Sequence, residues 1–288
     1  MSELYPVCRV ISSGVGLSIQ DSGRPGWRRF GLPASGAMDA YSMVWANRLV
    51  GNSDWSPVLE FAFQGVKLEF LADSWIACCG ARTEGDLDPW SGRFVEQGEI
   101  LSFRRCVGGV FTYLAISGGW ASDLWFGSCS ANPRARIGGL IKVEDILYSQ
   151  RKPNVGLFPG VSKRVVLKES KRDYCNDVMI RIFRGPQYEF FNREQVGEFV
   201  SKEWRVSSRS DRTGYRLEGG TLYTDKTISS EPTLPGSVQV TPSGQPIVTL
   251  NDGPTVGGYP KIAFVHPGDL SWLVQTSPNQ NMRFQWVD

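Results

Sequence analysis

The chain has 288 residues, with 31 Lys and Arg against 29 Asp and Glu, giving a formal net charge of +2. That balance excludes a dedicated nucleic-acid binder with a strong basic surface, and 41% apolar with 21% charged residues is the composition of a soluble globular protein. No stretch approaches the roughly 18 apolar residues of a membrane span, and Met1–Pro6 lacks the basic-then-apolar order of a secretory signal, so a cytoplasmic location is expected.

Taken in chain order, the pattern is one of short strands. Apolar runs at Cys8–Ile11, Leu17–Ile19, Val66–Phe70, Trp75–Cys79, Ile100–Phe103, Thr112–Ile116, Asp145–Tyr148, Val178–Phe183, Trp204–Val206, Val238–Val240, Ile247–Leu250 and Ile262–Val265 are bounded by turn-forming residues. The abundance of glycine (32) and proline (17) fits a mainly β fold of barrels or sandwiches. Two segments predict helices. In Ala37–Val50, apolar Met38, Tyr41, Val44, Trp45 and Leu49 recur at close to helical spacing, Asp39 sits in the first turn and Gly51 at the C′ position. Arg193–Phe199 follows Asn192, a natural N-cap. The charged, irregular stretch 151–176 predicts a linker between an N-terminal domain, residues 1–150, and a C-terminal domain, residues 177–288.

The six cysteines, Cys8, Cys78, Cys79, Cys106, Cys129 and Cys175, form no Cys-x-x-Cys pair, and the adjacent Cys78 and Cys79 read as buried apolar residues in a reducing compartment. The single histidine, His266, reads as a turn residue in His-Pro-Gly-Asp, which argues against a Ser-His-Asp triad or a His-rich metal site, and no metal is expected. The chain has no Gly-Lys dipeptide, so the phosphate-binding loop Gly-x4-Gly-Lys-Ser/Thr is missing.

Two loops concentrate chemistry. Asn251–Lys261 carries Asp252, Thr255, the adjacent Gly257 and Gly258, Tyr259 and Lys261, and paired glycines can present backbone N–H groups to an anion or a carbonyl oxygen. The same residues also suit an ordinary Gly/Pro hairpin, with Asp252 a turn carboxylate. The second loop, from Asp21 and Arg24 to Ser35-Gly36, approaches a helix start, where unpaired N–H groups favour a carboxylate or phosphate; Ser35 as a plain N-cap is the alternative. One groove between the halves, ringed by both loops and Arg212, is the economical reading.

Ile19-Gln20-Asp21-x-Gly23-Arg24-x-Gly26, Pro33-x-Ser35-Gly36-Ala37-Met38-Asp39 and Ala46-Asn47-x-Leu49-Val50-Gly51-Asn52 occur in order. They continue through Tyr113–Gly119, Gly127–Ser130, Gly185-Pro186-Gln187-Tyr188, Ser210–Leu217 and the C-terminal loop. Together these motifs, over about residues 8–285, resemble the carboxyltransferase-like family that includes the C-type component of 5-oxoprolinase, allophanate hydrolase subunit 2 and the antagonist of a sporulation-kinase inhibitor (KipA). The resemblance implies two cyclophilin-like β-barrels facing a shared cleft, and activity on a small amide. It implies an ATP-dependent 5-oxoprolinase working with a B-type (KipI-like) subunit and an A-type subunit, the chain being inactive alone. In the urea branch the same domain takes carboxybiotin as a substrate and moves its carboxyl group to urea, while a regulatory member would only bind its partner. Relative to the family the chain is shorter between Asp86 and Gln97 and after Gly138-Gly139, ends without a helical tail and has Thr213 where methionine is common.

With that chemistry in view, Arg212, Asp252, Thr255 and Lys261 are the candidate catalytic residues. Asp21, Arg24, Ser35, Gly36, Gln239, Gly257, Gly258 and Tyr259 are the candidate substrate-binding residues. Arg24 and Arg212 would grip a carboxylate or phosphate in two-pronged fashion, the two glycines would form an anion hole, Asp252 would orient a donor or take a proton, and Lys261 would supply charge. Trp120, Trp125 and Phe126 are candidates for an exposed patch that meets a partner protein, with burial in the core the alternative.

Overall fold

The computed structural model describes residues 4–278 and 280–287. The chain divides into two compact units, Met1–Arg24 with Ser35–Cys175, and Pro25–Ala34 with Asn176–Asp288.

The first unit contains β1 (Tyr5–Gln20), α1 (Ala40–Leu49), β2 (Val58–Phe70), β3 (Ser74–Gly85), β4 (Ser91–Val95), β5 (Ile100–Ile116), β6 (Ile146–Ser149) and β7 (Lys163–Val165). They form one seven-stranded antiparallel sheet in the order β6-β1-β2-β5-β3-β4-β7. Several predicted short strands are halves of longer ones. Cys8–Ile11 and Leu17–Ile19 belong to β1, and Ile100–Phe103 and Thr112–Ile116 to β5. The Ser and Gly residues between the halves of β1 shift its register against β2 and bend the strand without ending it. Val10, Leu17, Leu59, Phe61, Phe70, Ile76, Leu114, Ile116 and Trp120 pack into a single core on this sheet. Cys78 and Cys79 are fully buried, as their setting predicts, whereas Trp125 and Phe126 are half exposed.

The helix predicted at Ala37–Val50 is shorter. Asp39 is its N-cap, accepting from the Ser42 N–H at 3.1 Å, and the chain leaves at Val50 through Gly51 at φ 72°. Ser35 does not cap it.

The second unit contains β8 (Val178–Arg184), α2 (Arg193–Ser201), β9 (Trp204–Val206), β10 (Gly214–Glu218), β11 (Glu231–Pro232), β12 (Ser237–Val240), β13 (Pro246–Thr249), β14 (Val256–Gly257), β15 (Lys261–Val265), α3 (Leu270–Val274) and β16 (Asn281–Trp286). Seven of these strands close a barrel in the order β10-β13-β12-β15-β8-β16-β9, and β11 pairs with β14 outside it. The β8–β16 pair is parallel, with Ile180 opposite Phe284. Along β8, β10 and β16 buried and exposed residues alternate, the two-residue period of a wall with an apolar inside. Inside, Phe199 stacks on Phe284 with ring centroids 4.8 Å apart, and the buried Trp204 indole donates to the Phe199 carbonyl at 2.8 Å. Helix α2 starts as predicted at Asn192, which shares a reciprocal capping box with Gln195. His266 is a turn residue, its Nδ1 accepting from the Gly268 N–H at 3.1 Å. The mainly β class and the short helices are those the sequence predicts.

Candidate functional site

In the first unit, Asp21, Arg24, Ser35 and Gly36 gather where β1 ends. Asp21 Oδ1 accepts from the Ser128 and Ser130 hydroxyls at 2.6 Å each and from the Gly23 N–H at 2.8 Å, and Oδ2 accepts from the Cys129 N–H at 2.7 Å. Arg24 is 1% exposed, and its guanidinium donates to the carbonyls of Ser130 and, at 3.4 Å, Trp125. Both side chains therefore tie the 125–130 loop to the end of β1. Ser35, at φ 55°, accepts from the Asn132 amide at 3.0 Å. Gly36 lies at φ 94°, and a Cβ there would meet the Gly23 nitrogen and the Ser22 carbonyl carbon, each at 3.0 Å, so only glycine lets the two loops approach this closely. Beneath this loop, buried Glu60 accepts from the Met38 N–H and the Tyr113 hydroxyl, both at 2.8 Å, and Tyr113 accepts from the Asp39 N–H at 2.7 Å.

In the second unit the candidate residues belong to two charged pairs, Arg212 with Asp252 and Lys261 with Glu231. Arg212 grips Asp252 with both prongs, Nε to Oδ2 at 2.7 Å and Nη2 to Oδ1 at 3.4 Å, and only 5% of the Asp252 side chain is exposed. The Asp252 N–H returns to the Arg212 carbonyl at 3.1 Å. Lys261 lies at the start of β15, facing Gln239 of β12. Its side chain is 1% exposed and its ammonium donates to Glu231 Oε1 at 2.6 Å, while the Glu231 side chain keeps 35% of its surface. Gln187 donates to the same oxygen at 3.0 Å, and its own amide oxygen accepts from the Lys261 N–H at 3.0 Å. The Lys261 hydrogen bond holds the Glu231 carboxyl below its ordinary value, with burial opposing and Gln187 assisting.

Gln239, opposite Lys261, donates through its amide to the Thr249 hydroxyl at 2.7 Å. A Cβ on Gly257 would fall 2.6 Å from Gln239 Oε1, so this glycine is required for the close approach. Gly258 and Tyr259 are exposed, Tyr259 at 42%, and Thr255 offers its carbonyl to the Thr233 N–H at 3.0 Å. Asn251–Lys261 is thus a loop built around β14, with two charged ends and an open middle.

Four further residues, which sequence reasoning did not assign to the site, contact the candidate residues or their loop. Gln187 lies in the motif Gly185–Tyr188, but only the fold brings it and Glu231 to Lys261. Arg28 arrives from Pro25–Ala34, the N-terminal segment that belongs to the second unit. Its Nη2 donates to the carbonyls of Thr233 and, at 3.1 Å, Pro254, and burial lowers its pKa. The Thr233 hydroxyl donates to the same Pro254 carbonyl at 2.5 Å. Arg28 and Thr233 therefore fasten the entry to the Thr255–Tyr259 loop. The sequence shows arginines at 24, 28 and 29, but their spacing does not indicate this contact, which spans 205 residues to Thr233.

Comparison with known proteins agrees with this architecture. The family model described as carboxyltransferase domain, subdomain A and B, matches residues 30–286. The chain is similar to the C subunit of 5-oxoprolinase from Escherichia coli K12, with 37% identity over 284 residues, 96% of this chain and 90% of that protein. It is similar to the crystal structure of TTHA0988, with a TM-score of 0.86 and 35% identity over 98% of this chain; it spans 56% of that chain's length. It is also similar to the Kluyveromyces lactis urea carboxylase structure, with a TM-score of 0.89 and 26% identity over 100% of this chain, and it spans 28% of that chain. With nearly its whole length matched, the chain belongs to the family of the carboxyltransferase domain, subdomains A and B.

Proposed function

We propose that this chain is the C-type subunit of a cytoplasmic ATP-dependent 5-oxoprolinase, a hydrolase that opens 5-oxoproline to glutamate. The observation that carries this reading is the similarity to the 5-oxoprolinase C subunit of Escherichia coli across 90% of that protein's length. The substrate is a lactam with a carboxylate, and opening it requires charge stabilisation on the amide oxygen. In the second unit Lys261 supplies a buried ammonium whose partner, Glu231, is partly open to solvent, so an incoming carbonyl oxygen can share that charge as Glu231 turns outward. The Gly257 and Gly258 N–H groups and Thr255 line the adjoining loop, Tyr259 stands exposed at its rim, and Arg212 holds the Asp252 side chain in position to orient a donor. Both cations are already engaged by carboxylates, so we assign ATP to an assembly completed by the B-type (KipI-like) and A-type subunits and route no step through it.

The test is reconstitution. The chain alone should release no ADP with 5-oxoproline, and turnover to glutamate should appear with the B-type and A-type proteins. Robust turnover by the isolated chain would refute the division of labour, and failure of the cognate B-type protein to co-purify would weaken it. A second reading, transfer of a carboxyl group from carboxybiotin to urea or a similar amide, is favoured by the likeness to urea carboxylase. Urea-dependent consumption of carboxybiotin by this chain, with no 5-oxoproline turnover in the assembly, would replace the first reading by the second. Tight binding of the B-type protein with neither turnover would leave a regulatory binding role.

A further inference from the structure

Among the free cysteines, Cys8, Cys78, Cys79 and Cys129 are buried, Cys106 is half-buried and Cys175 is exposed. Burial pushes the Cys8 and Cys78 thiols up to about 12, which leaves them inert at neutral pH. Cys106 and Cys175 are different because both sulfurs flank the same short stretch of β5. Cys106 Sγ lies 3.4 Å from the Gly108 carbonyl oxygen and 3.2 Å from that of Gly109. Cys175 Sγ lies 4.0 Å from the Val107 carbonyl oxygen. A Cβ placed on Gly108 would fall 2.1 Å from Cys175 Sγ and 3.3 Å from its Cα, so the glycine is what leaves the second thiol its place against the strand. Burial raises the Cys106 pKa first, and the neighbouring Cys175 raises it further.

We infer that Cys106 and Cys175 form a reversible dithiol–disulfide pair that a hydroperoxide oxidises. The exposed Cys175 reacts first: its sulfur takes the terminal hydroxyl of the peroxide as the O–O bond breaks, giving a sulfenic acid and the alcohol, or water from hydrogen peroxide. The Cys106 sulfur then attacks that sulfur, the S–S bond forms, and the hydroxyl leaves as water with the Cys106 proton. The two thiols lose two electrons and two protons in all, and the peroxide takes them up. A small dithiol reverses the step. Burial first, then Asp173, holds the Cys175 thiol above its ordinary pKa, with Arg82 opposing, so oxidation is slow at neutral pH and quickens as pH rises. The bond would tie β5 to the residue that directly precedes the second unit in sequence. This inference is independent of the proposed oxoprolinase function.

The test uses the full chain and hydrogen peroxide at neutral and mildly alkaline pH. Accessible thiols are counted with a chromogenic disulfide, and non-reduced peptides are mapped by mass spectrometry. Two thiols should be lost together, in a peptide pair joining Cys106 to Cys175, faster at the higher pH and restored by dithiothreitol. In Cys106→Ser, Cys175 should stop as a sulfenic acid that dimedone labels; in Cys175→Ser, Cys106 should keep its thiol. The peptide map of the unsubstituted chain decides the matter even if a variant folds poorly. A lasting dimedone adduct or sulfinic acid on Cys175 beside an intact Cys106 thiol overturns the pairing, as does a Cys175 bond between two chains or no loss of thiols.

Discussion

Asp21 and Asp252, one in each unit, are equally buried, at 7% and 8% exposure, yet they are held in opposite ways. Asp21 is surrounded by neutral donors, two hydroxyls and two backbone N–H groups, all supplied by its own unit. In the second unit Asp252 faces a guanidinium and Glu231 an ammonium. A carboxylate whose lone pairs are taken up by neutral groups is a fixed part of the fold: releasing it would strand several buried donors. A carboxylate paired with a cation leaves a charge that a ligand can compete for, above all where one partner reaches solvent, as Glu231 does. A buried carboxylate thus fastens a loop in one unit and, at the proposed site, faces a cation in the other.

Lys261→Met is the sharpest way to break this contrast. In the reconstituted assembly it should lower turnover on the order of 10²–10³-fold, the usual cost of losing one electrostatic stabiliser. The melting midpoint should move little, because the released Glu231 can be rehydrated and the methionine fills the buried stem. Kinetics with 5-oxoproline beside a thermal melt check both; a collapsed melt with undiminished turnover per folded molecule would make Lys261 a structural residue.

Asp21→Asn should show the opposite signature. An amide cannot accept from four donors and turns its own NH₂ toward some of them, so the unfolding free energy should fall by about 2–4 kcal/mol. Urea denaturation measures it. Lost turnover with an intact denaturation curve would return Asp21 to the site and remove the contrast.

Arg28→Met tests whether fastening matters at the second unit too. Loss of its donors to the Thr233 and Pro254 carbonyls should loosen residues 254–258, raise their amide exchange and lower kcat/KM by about tenfold, well within what small misplacements cost. Unchanged exchange would show that Thr233 holds the loop alone.

The smallest effect concerns pH. The Glu231 pKa in the folded chain is depressed below its ordinary 4.5 by Lys261. Its contribution to stability is therefore complete above about that value and is lost as pH falls through the lower folded value. Glu231→Gln should reduce stability by less than about 1 kcal/mol at neutral pH, since Glu231 is partly exposed and the glutamine oxygen can still accept from Lys261, and the difference should vanish in strong acid. A gap between variant and parent that widens on acidification would contradict the sign.

Much of the fold was legible in the amino-acid sequence. β-Branched and aromatic runs between turn residues marked most strands, and Asn192 and Gly51 marked helix ends, because these signals act within a few residues. The alternation in Asn281–Trp286 and in Gly214–Glu218 was present too, but in windows too short and polar to stand out from loops. The continuity of β1 and β5 was hidden because Gly and Ser read as breaks where they serve as bends. At the site, the loop Asn251–Lys261 announced its chemistry through residue type alone. Its partners did not: Glu231, Gln187 and Arg28 reach Lys261 or the loop across sequence separations of 30, 74 and 226 residues, the last to Pro254.

The sequence by itself determined the β class, the family and the chemical inventory, since composition, local patterning and ordered motifs are properties of the chain. Only the tertiary structure decided which carboxylate meets a cation and which meets neutral donors, and so which groups are open to a ligand. Burial and pairing are set by residues far apart in sequence, and electrostatic strength depends on how completely neighbouring groups displace water.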